Sequence, residues 1–123
     1  MLMQCFIVGA GGALGAVFRY VLSLIRVESD FPLMTFLTNV IGAAAIGVIA
    51  ALAERSAGLS PGTLLFFKTG VCGGFTTFST FSLETLTLIE KNHTVTACAY
   101  AGASLVLCIA GVWLGEQMVR RWS

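Results

Sequence analysis

Charge is scarce in this sequence. Lys, Arg, Asp and Glu together make up 11% of its 123 residues, less than half the usual share of a soluble domain. The formal net charge is only +1, which gives no electrostatic pull toward nucleic acid or an acidic surface. Histidine occurs once, as His93 between Asn92 and Thr94, where it reads as a solvated loop residue with no nucleophile at hand. The four cysteines, Cys5, Cys72, Cys98 and Cys108, form no CxxC or zinc-like spacing and lie inside apolar segments, so they read as small buried hydrophobes. No nucleotide-binding or other catalytic motif is present, and no polar stretch is long enough for a soluble domain. These absences leave little room for an enzyme.

What is present is hydrocarbon. Hydrophobic residues make up 57% of the chain, with a mean hydropathy of +0.91, so the expected solvent is a bilayer. Four segments are long enough to cross one as helices: Leu2 to Ile25, Leu33 to Ala53, Thr63 to Ile89 and Val95 to Val119. The first has no basic leader and is followed by three more apolar segments, so it reads as a membrane helix rather than a cleaved signal. The linkers, residues 26–30, 54–62 and 90–94, are short and polar. The fold class predicted is an all-α membrane protein, with residues 1–123 forming a single four-helix transmembrane domain. Gly11 and Gly15 make a GxxxG in helix 1, and Gly42 and Gly47 thin one side of helix 2, as close packing in lipid requires.

The positive charges do not fix an orientation. An even number of spans places Arg55, Lys68, Arg120 and Arg121 on one side, and Arg19, Arg26 and Lys91 on the other. A split of four to three among seven Lys and Arg is too even for the positive-inside rule to act. The simplest consequence is insertion both ways, with opposed copies free to pair as an antiparallel homodimer.

Polar groups inside a span are costly and are functional by default. Helix 3 carries most of them. Gly73-Gly74 sits mid-span ahead of Thr76, Thr77, Ser79 and Thr80, predicting a helix break with freed carbonyls. Beyond the break, Phe75, Phe78 and Phe81 recur every third residue, and Thr77, Thr80, Glu84, Thr87 and Lys91 form a second stripe. That second stripe suits either a wet path or a polar neighbour. On helix 4, Thr96, Tyr100, Ser104 and Cys108 follow one another at steps of four. Their hydroxyls can line a path or bond their own helix. Asn39, flanked by Thr35 and Thr38, can serve an ion or clamp two helices. With hydroxyl and amide donors, phenylalanine edges and a single carboxylate, these walls lean toward a small anion.

Gly73-Gly74-Phe75-Thr76-Thr77-Phe78-Ser79-Thr80-Phe81-Ser82 resembles the signature of the Fluc (CrcB) family of fluoride ion channels. Residues 11–20, with Arg19, resemble that family's helix 1 motif, and Asn39-Val40-Ile41-Gly42 its helix 2 motif. Met34 before Thr35 departs from the Gly-Thr usual there, and Thr38 replaces a common aliphatic. The resemblance implies a dual-topology homodimer in the plasma membrane of a prokaryote, with two fluoride pores built from both copies. It implies that Phe78 and Phe81 meet the ion with their ring edges and that Asn39 lines the pore. Ser79, Thr80, Glu84 and Tyr100 would form its polar track, a run that the helix 4 ridge extends to Ser104. It also implies a structural sodium ion at the dimer centre on backbone carbonyls of Gly73 and Thr76, and a supporting role for Arg19. The expected partners are fluoride, a second copy and the bilayer, with no nucleic acid. Two other readings fit less well. A small multidrug exporter would need a membrane carboxylate in helix 1, where only Arg19 stands. A scaffold subunit would not need two polar stripes.

Overall fold

The computed structural model describes residues 1–55 and 58–122; Ser56 and Ala57 of the predicted second linker fall outside the described residues. Every regular element within them is helical. We label them α1 (Leu2–Ser23), α2 (Leu33–Ala53), α3 (residues 61–75), α4 (Phe78–Glu90) and α5 (Thr94–Arg121). α1, α2 and α5 are long and apolar enough to cross a membrane. At 1.5 Å per residue, α3 reaches about 22 Å and α4 about 20 Å, and neither alone spans a core of about 30 Å. They share the work of the predicted third helix.

Local chemistry sets several boundaries. Pro61 opens α3 at a position that needs no N–H, and the Ser60 hydroxyl caps it by accepting from the Thr63 amide at 3.2 Å. α4 ends in a Schellman turn: the His93 and Asn92 amides donate back to Leu88 and Ile89 carbonyls at 2.8 and 3.0 Å. Asn92 takes the left-handed conformation this requires, at φ 62°, which asparagine tolerates better than most residues. Arg120 and Arg121 lie in the last turn of α5, where positive charge meets the negative end of the helix dipole. At the same end Arg55 donates to the Val119 carbonyl at 2.6 Å, and Arg120 reaches Glu54 at 3.7 Å and Glu116 at 3.5 Å. Arg55 and Arg120 therefore share one end of the bundle, as the charge count assumed.

Two helix pairs carry the packing: α1 on α3, and α2 on α5. Both seams are built on glycine. A Cβ added to Gly15 would overlap the Val71 carbonyl oxygen and lie 2.8 Å from the Phe75 nitrogen, and one on Gly74 would overlap the Gly12 carbonyl. In the other pair, Gly47 sits against the Val112 carbonyl and Gly115 against that of Ala44. Backbones approach this closely only without side chains between them, which is how helices associate in lipid. Gly42 does not share the surface of Gly47: it faces the Thr76 methyl group, beside the interruption in the third span.

That interruption is not where Gly73-Gly74 placed it. Gly73 is helical, at φ −63° and ψ −38°, and α3 runs on to Phe75. The chain straightens instead at Thr76 (φ −80°, ψ 154°) and Thr77 (φ −151°, ψ 111°). Gly74 is there for contact with α1, while the threonines supply hydroxyls that replace lost helical bonds. A second difference is the π-helical winding of Leu65–Cys72 within α3, which no side-chain pattern announces. The core lies where α4, α5 and the linker before α2 meet. Its centre is Tyr100, the largest side chain with no exposure at all, packed with Leu88 and Ala97 under Phe31, Phe36 and Phe81.

If the α1–α3 seam is as tight as this, Gly15→Val should destabilise the protein by about 1–3 kcal/mol. Gly9→Ala, where an added Cβ meets nothing within 4 Å, should change it by less than about 0.5 kcal/mol. Thermal denaturation of the two variants in detergent checks this.

Candidate functional site

The break between α3 and α4 is held by one side chain of α2. Asn39 accepts from the Thr77 amide through Oδ1 at 2.8 Å and donates through Nδ2 to the Thr77 carbonyl at 3.2 Å. Both backbone groups of an extended residue are thereby satisfied inside a membrane-spanning bundle. Thr77 in turn caps α4: its hydroxyl accepts from the Thr80 amide at 3.2 Å and donates to the Thr80 hydroxyl at 3.0 Å. On the other flank, Thr76 folds back, its amide and hydroxyl both reaching the Cys72 carbonyl at 3.0 and 2.8 Å. Arg19 of α1 donates from Nε to the Gly74 carbonyl at 3.2 Å, a cation at the negative end of α3.

The break deprives the carbonyls of residues 73–76 of their helical donors; that of Gly74 is taken by Arg19, and those of Gly73 and Thr76 can be traced through where their donors go. The Gly73 carbonyl would receive the Thr77 amide in an unbroken helix, and that amide goes to Asn39. The Thr76 carbonyl would receive the Thr80 amide, which goes to the Thr77 hydroxyl. Gly73 is also exposed, and a Cβ added to it meets nothing within 4 Å. Hard oxygens at the end of a half-helix, beside open space, suit a small hard cation such as sodium.

Two grooves flank the break, and Thr77 lines both. The first, of about 410 Å³, is mostly apolar and runs between α2, α4 and α5. Asn39, Phe78, Phe81, Ser104 and Cys108 lie along it. Ser104 is 7% exposed, and among the described residues its buried hydroxyl has no hydrogen-bond partner. A buried hydroxyl without a partner is costly, and Ser104 is one of the residues along this groove. The second groove, of about 360 Å³, is the more polar of the two, with Arg19, Thr35, Thr38, Thr80 and Glu84 on its walls.

Glu84 is the hub of the polar side. Thr35 donates to its Oε1 at 2.7 Å and Tyr100 to its Oε2 at 2.8 Å. Tyr100 then begins a run of rings. Its centroid lies 5.1 Å from Phe81, which lies 5.5 Å from Phe78. On its other side Phe31 stands edge-on at 5.3 Å.

Residues 6–116 match the family model described as CrcB-like protein, Camphor Resistance (CrcB). The chain belongs to the CrcB family. Among curated relatives, a protein of Methylobacillus flagellatus named fluoride-specific ion channel FluC is 41% identical over 121 residues, covering 95% of this chain and 94% of its own length. Proteins of the same name from Shewanella loihica and Rhodospirillum rubrum are each 43% identical, covering 91% and 93% of this chain and 92% of their own lengths.

In this CrcB chain the sequence-predicted residues fall into groups. Asn39, Phe78, Phe81 and Ser104 share the apolar groove, while Thr80 and Glu84 share the polar one with Arg19. Tyr100 joins the two sides through Glu84 and Phe81. Ser79 lines neither groove; it is exposed, with its hydroxyl 3.4 Å from that of Thr77. The three-ring stripe is shortened, because the break puts Phe75 on α3 beside Gly42 and leaves Phe78 and Phe81 as the pair. Thr87 and Lys91 do not extend the polar wall: Thr87 donates to its own helix at Leu83, and Lys91 is exposed. The central part of Thr77 was legible only as one hydroxyl among several. A Thr is a common N-cap residue, but without Glu or Gln three residues on nothing singled Thr77 out from its neighbours.

Asn39→Ala strips the Thr77 amide and carbonyl of their partners at once. It should lower stability by about 2–4 kcal/mol, taking each buried group at about 1–2 kcal/mol. Tyr100→Phe, which removes one donor from Glu84, should cost about 1–3 kcal/mol. Thermal midpoints in detergent, read beside the wild-type protein, check both values.

Proposed function

We propose that this chain is a fluoride-selective channel of the cell membrane, not an enzyme, through which fluoride leaves passively and the cell escapes fluoride toxicity. The observation that carries this is the set of relatives named fluoride-specific ion channel, each covered over more than nine-tenths of its length. The apolar groove supports it in chemical terms. Fluoride is small and strongly hydrated, so a pore must replace its water with donors without holding it too tightly. The unpartnered Ser104 hydroxyl is one such donor. The positive edges of Phe78 and Phe81 can face the ion while their apolar bodies exclude water. Asn39 takes part by fixing Thr77 at the wall the two grooves share. Thr80, Glu84 and Tyr100 continue the polar track, with Ser79 at its margin.

The working unit in this reading is an antiparallel homodimer of four-span chains with two pores, each built from both copies. Phe78 is 81% exposed within one chain, so a ring assigned to the pore wall needs a second copy to close around it. The nearly even split of positive charge supports insertion both ways. The Gly73 and Thr76 carbonyls, which have lost their helical donors, would hold a structural sodium ion between the two copies, and Arg19 holds the neighbouring Gly74 carbonyl in place.

Purified protein in vesicles should release fluoride rapidly and chloride far more slowly; equal rates, or no fluoride release, would overturn the channel reading. Phe78→Ile and Phe81→Ile should each lower fluoride flux at least about tenfold, equivalent to about 1.4 kcal/mol on the barrier, with the dimer still assembled by size-exclusion chromatography. Several lysines added to one terminus should fix the orientation and abolish flux. Co-expression with a copy locked the opposite way should restore it.

A further inference from the structure

A continuous run of aromatic rings leads from the linker before α2 to the apolar groove. Phe31 stands edge-on to Phe36 at 5.4 Å and 75°, and edge-on to Tyr100 at 5.3 Å and 76°. Tyr100 meets Phe81 at 5.1 Å, and Phe81 meets Phe78 at 5.5 Å. Such contacts depend on angle, because the positive edge of one ring seeks the negative face of another. Each ring therefore restrains the tilt of the next. Among the described residues no ring contact joins Phe31 to Phe81; the route between them is Tyr100.

Phe31 alone of these rings lies outside a helix, yet its backbone is held on both sides. Its amide donates to the Ser29 hydroxyl at 3.2 Å. Its carbonyl accepts from the Leu33 amide at 2.7 Å across Pro32, which sits at φ −73° and ψ 68°. That is an inverse γ-turn, and proline both fixes its own φ and keeps the preceding residue extended. The Pro32 carbonyl then takes the Phe36 amide at 3.0 Å and starts α2. One short segment thus delivers the Phe31 ring to Tyr100 and, from Thr35, a hydroxyl to Glu84.

Tyr100 needs both kinds of support. Its hydroxyl donates to Glu84 at 2.8 Å, which pins the tip of the side chain. A ring pinned at its tip and at its backbone can still roll about the axis joining them. Phe31 and Phe81 restrain that roll. We propose that Phe31 is a positioning residue of the ion path: it fixes the plane of Tyr100, and Tyr100 in turn sets the tilt at which Phe81 presents its edge. The inference rests on the channel reading and adds to it a determinant that lies outside the pore wall. A ring edge is a weak, directional partner for an anion, so a turned Phe81 serves the ion poorly even when the fold is intact.

Phe31→Leu keeps apolar volume but removes the ring, and Phe31→Tyr keeps the ring. Fluoride efflux from vesicles is measured for each, alone and combined with Phe81→Ile. F31L should lower efflux at least about fivefold with the dimer still assembled by size-exclusion chromatography, and F31Y should stay within about twofold of wild type. Phe31→Met serves in the same way should F31L not assemble. In the F81I background no ring is left to aim, so F31L should lower efflux further by less than about twofold. Efflux within about twofold of wild type in F31L overturns the proposal. Equal fold losses in both backgrounds also overturn it, since they mark a general loosening, as does a loss in F31Y matching that in F31L. A wild-type protein that conducts no fluoride removes the channel reading instead. The positioning is then judged by thermal midpoints in detergent: a fall in the F31L/F81I double variant smaller than the sum of the single falls sustains it, and a fall equal to that sum overturns it.

Discussion

The two hydrogen bonds between the Asn39 amide and the backbone of Thr77 are the interaction on which the rest of the site depends. A chain crossing hydrocarbon must satisfy its own backbone, and a helix does so automatically. Any departure from helix has to be met by a side chain from elsewhere. Asn39 meets it with an acceptor and a donor on one planar group, the pairing a neighbouring extended strand would make. It sits on α2, held against α5 by a glycine seam, so the break inherits the rigidity of that pair. Everything placed relative to the break follows: the start of α4, the pairing of Phe78 with Phe81, and the separation of an apolar groove from a polar one.

The glycine seams and the polar clamp solve different halves of one problem. Lipid offers little hydrophobic drive for helix association, so stability has to come from close backbone approach and from fully satisfied polar groups. Gly11, Gly15, Gly70 and Gly74 bring α1 against α3. That closeness sets Arg19 within reach of the Gly74 carbonyl. The same seam thus packs the bundle and positions a charge. On the other side, α5 can bury Tyr100 completely because Phe31, Phe36 and Phe81 close over it, and burial obliges its hydroxyl to find Glu84.

Much of this was legible in the residues. The three long helices follow from uninterrupted apolar length, with α2 at the predicted bounds of Leu33 and Ala53. Helical spacing brought Tyr100 and Ser104 to one ridge, and both are buried. What misled was the double meaning of glycine. Gly73-Gly74 is as good a sign of close packing as of flexibility, and only the neighbour decides; α1 lies against Gly74, so the glycines stay helical. Threonine was ambiguous in the same way. Thr76 and Thr87 bond back to their own helices, while Thr77 caps the next one. Which hydroxyl does which depends on where the helix stops. The pairing of Thr35 with Glu84 spans 49 residues, and no local pattern encodes such a distance. The π-helical stretch of α3 leaves no mark in composition at all.

One chain by itself is left with needs of three kinds within six consecutive residues. Gly73 has open space beside it, the Gly73 and Thr76 carbonyls have lost their helical donors, and Phe78 stands 81% exposed. Lipid tails can cover a phenylalanine, but they offer nothing to a carbonyl. Water could solvate the carbonyls, but it would leave the ring exposed. A neighbour able to serve both has to present apolar and ionic surface a few ångströms apart. In the proposed dimer a twofold-related copy would bring an identical apolar patch to Phe78 and a second set of carbonyls with which to share a cation, because each side of an isologous contact presents the same patch to the other. The proposed homodimer is therefore supported by more than the even split of charge: the break in the third span sets polar and apolar needs side by side, where neither lipid nor water meets both.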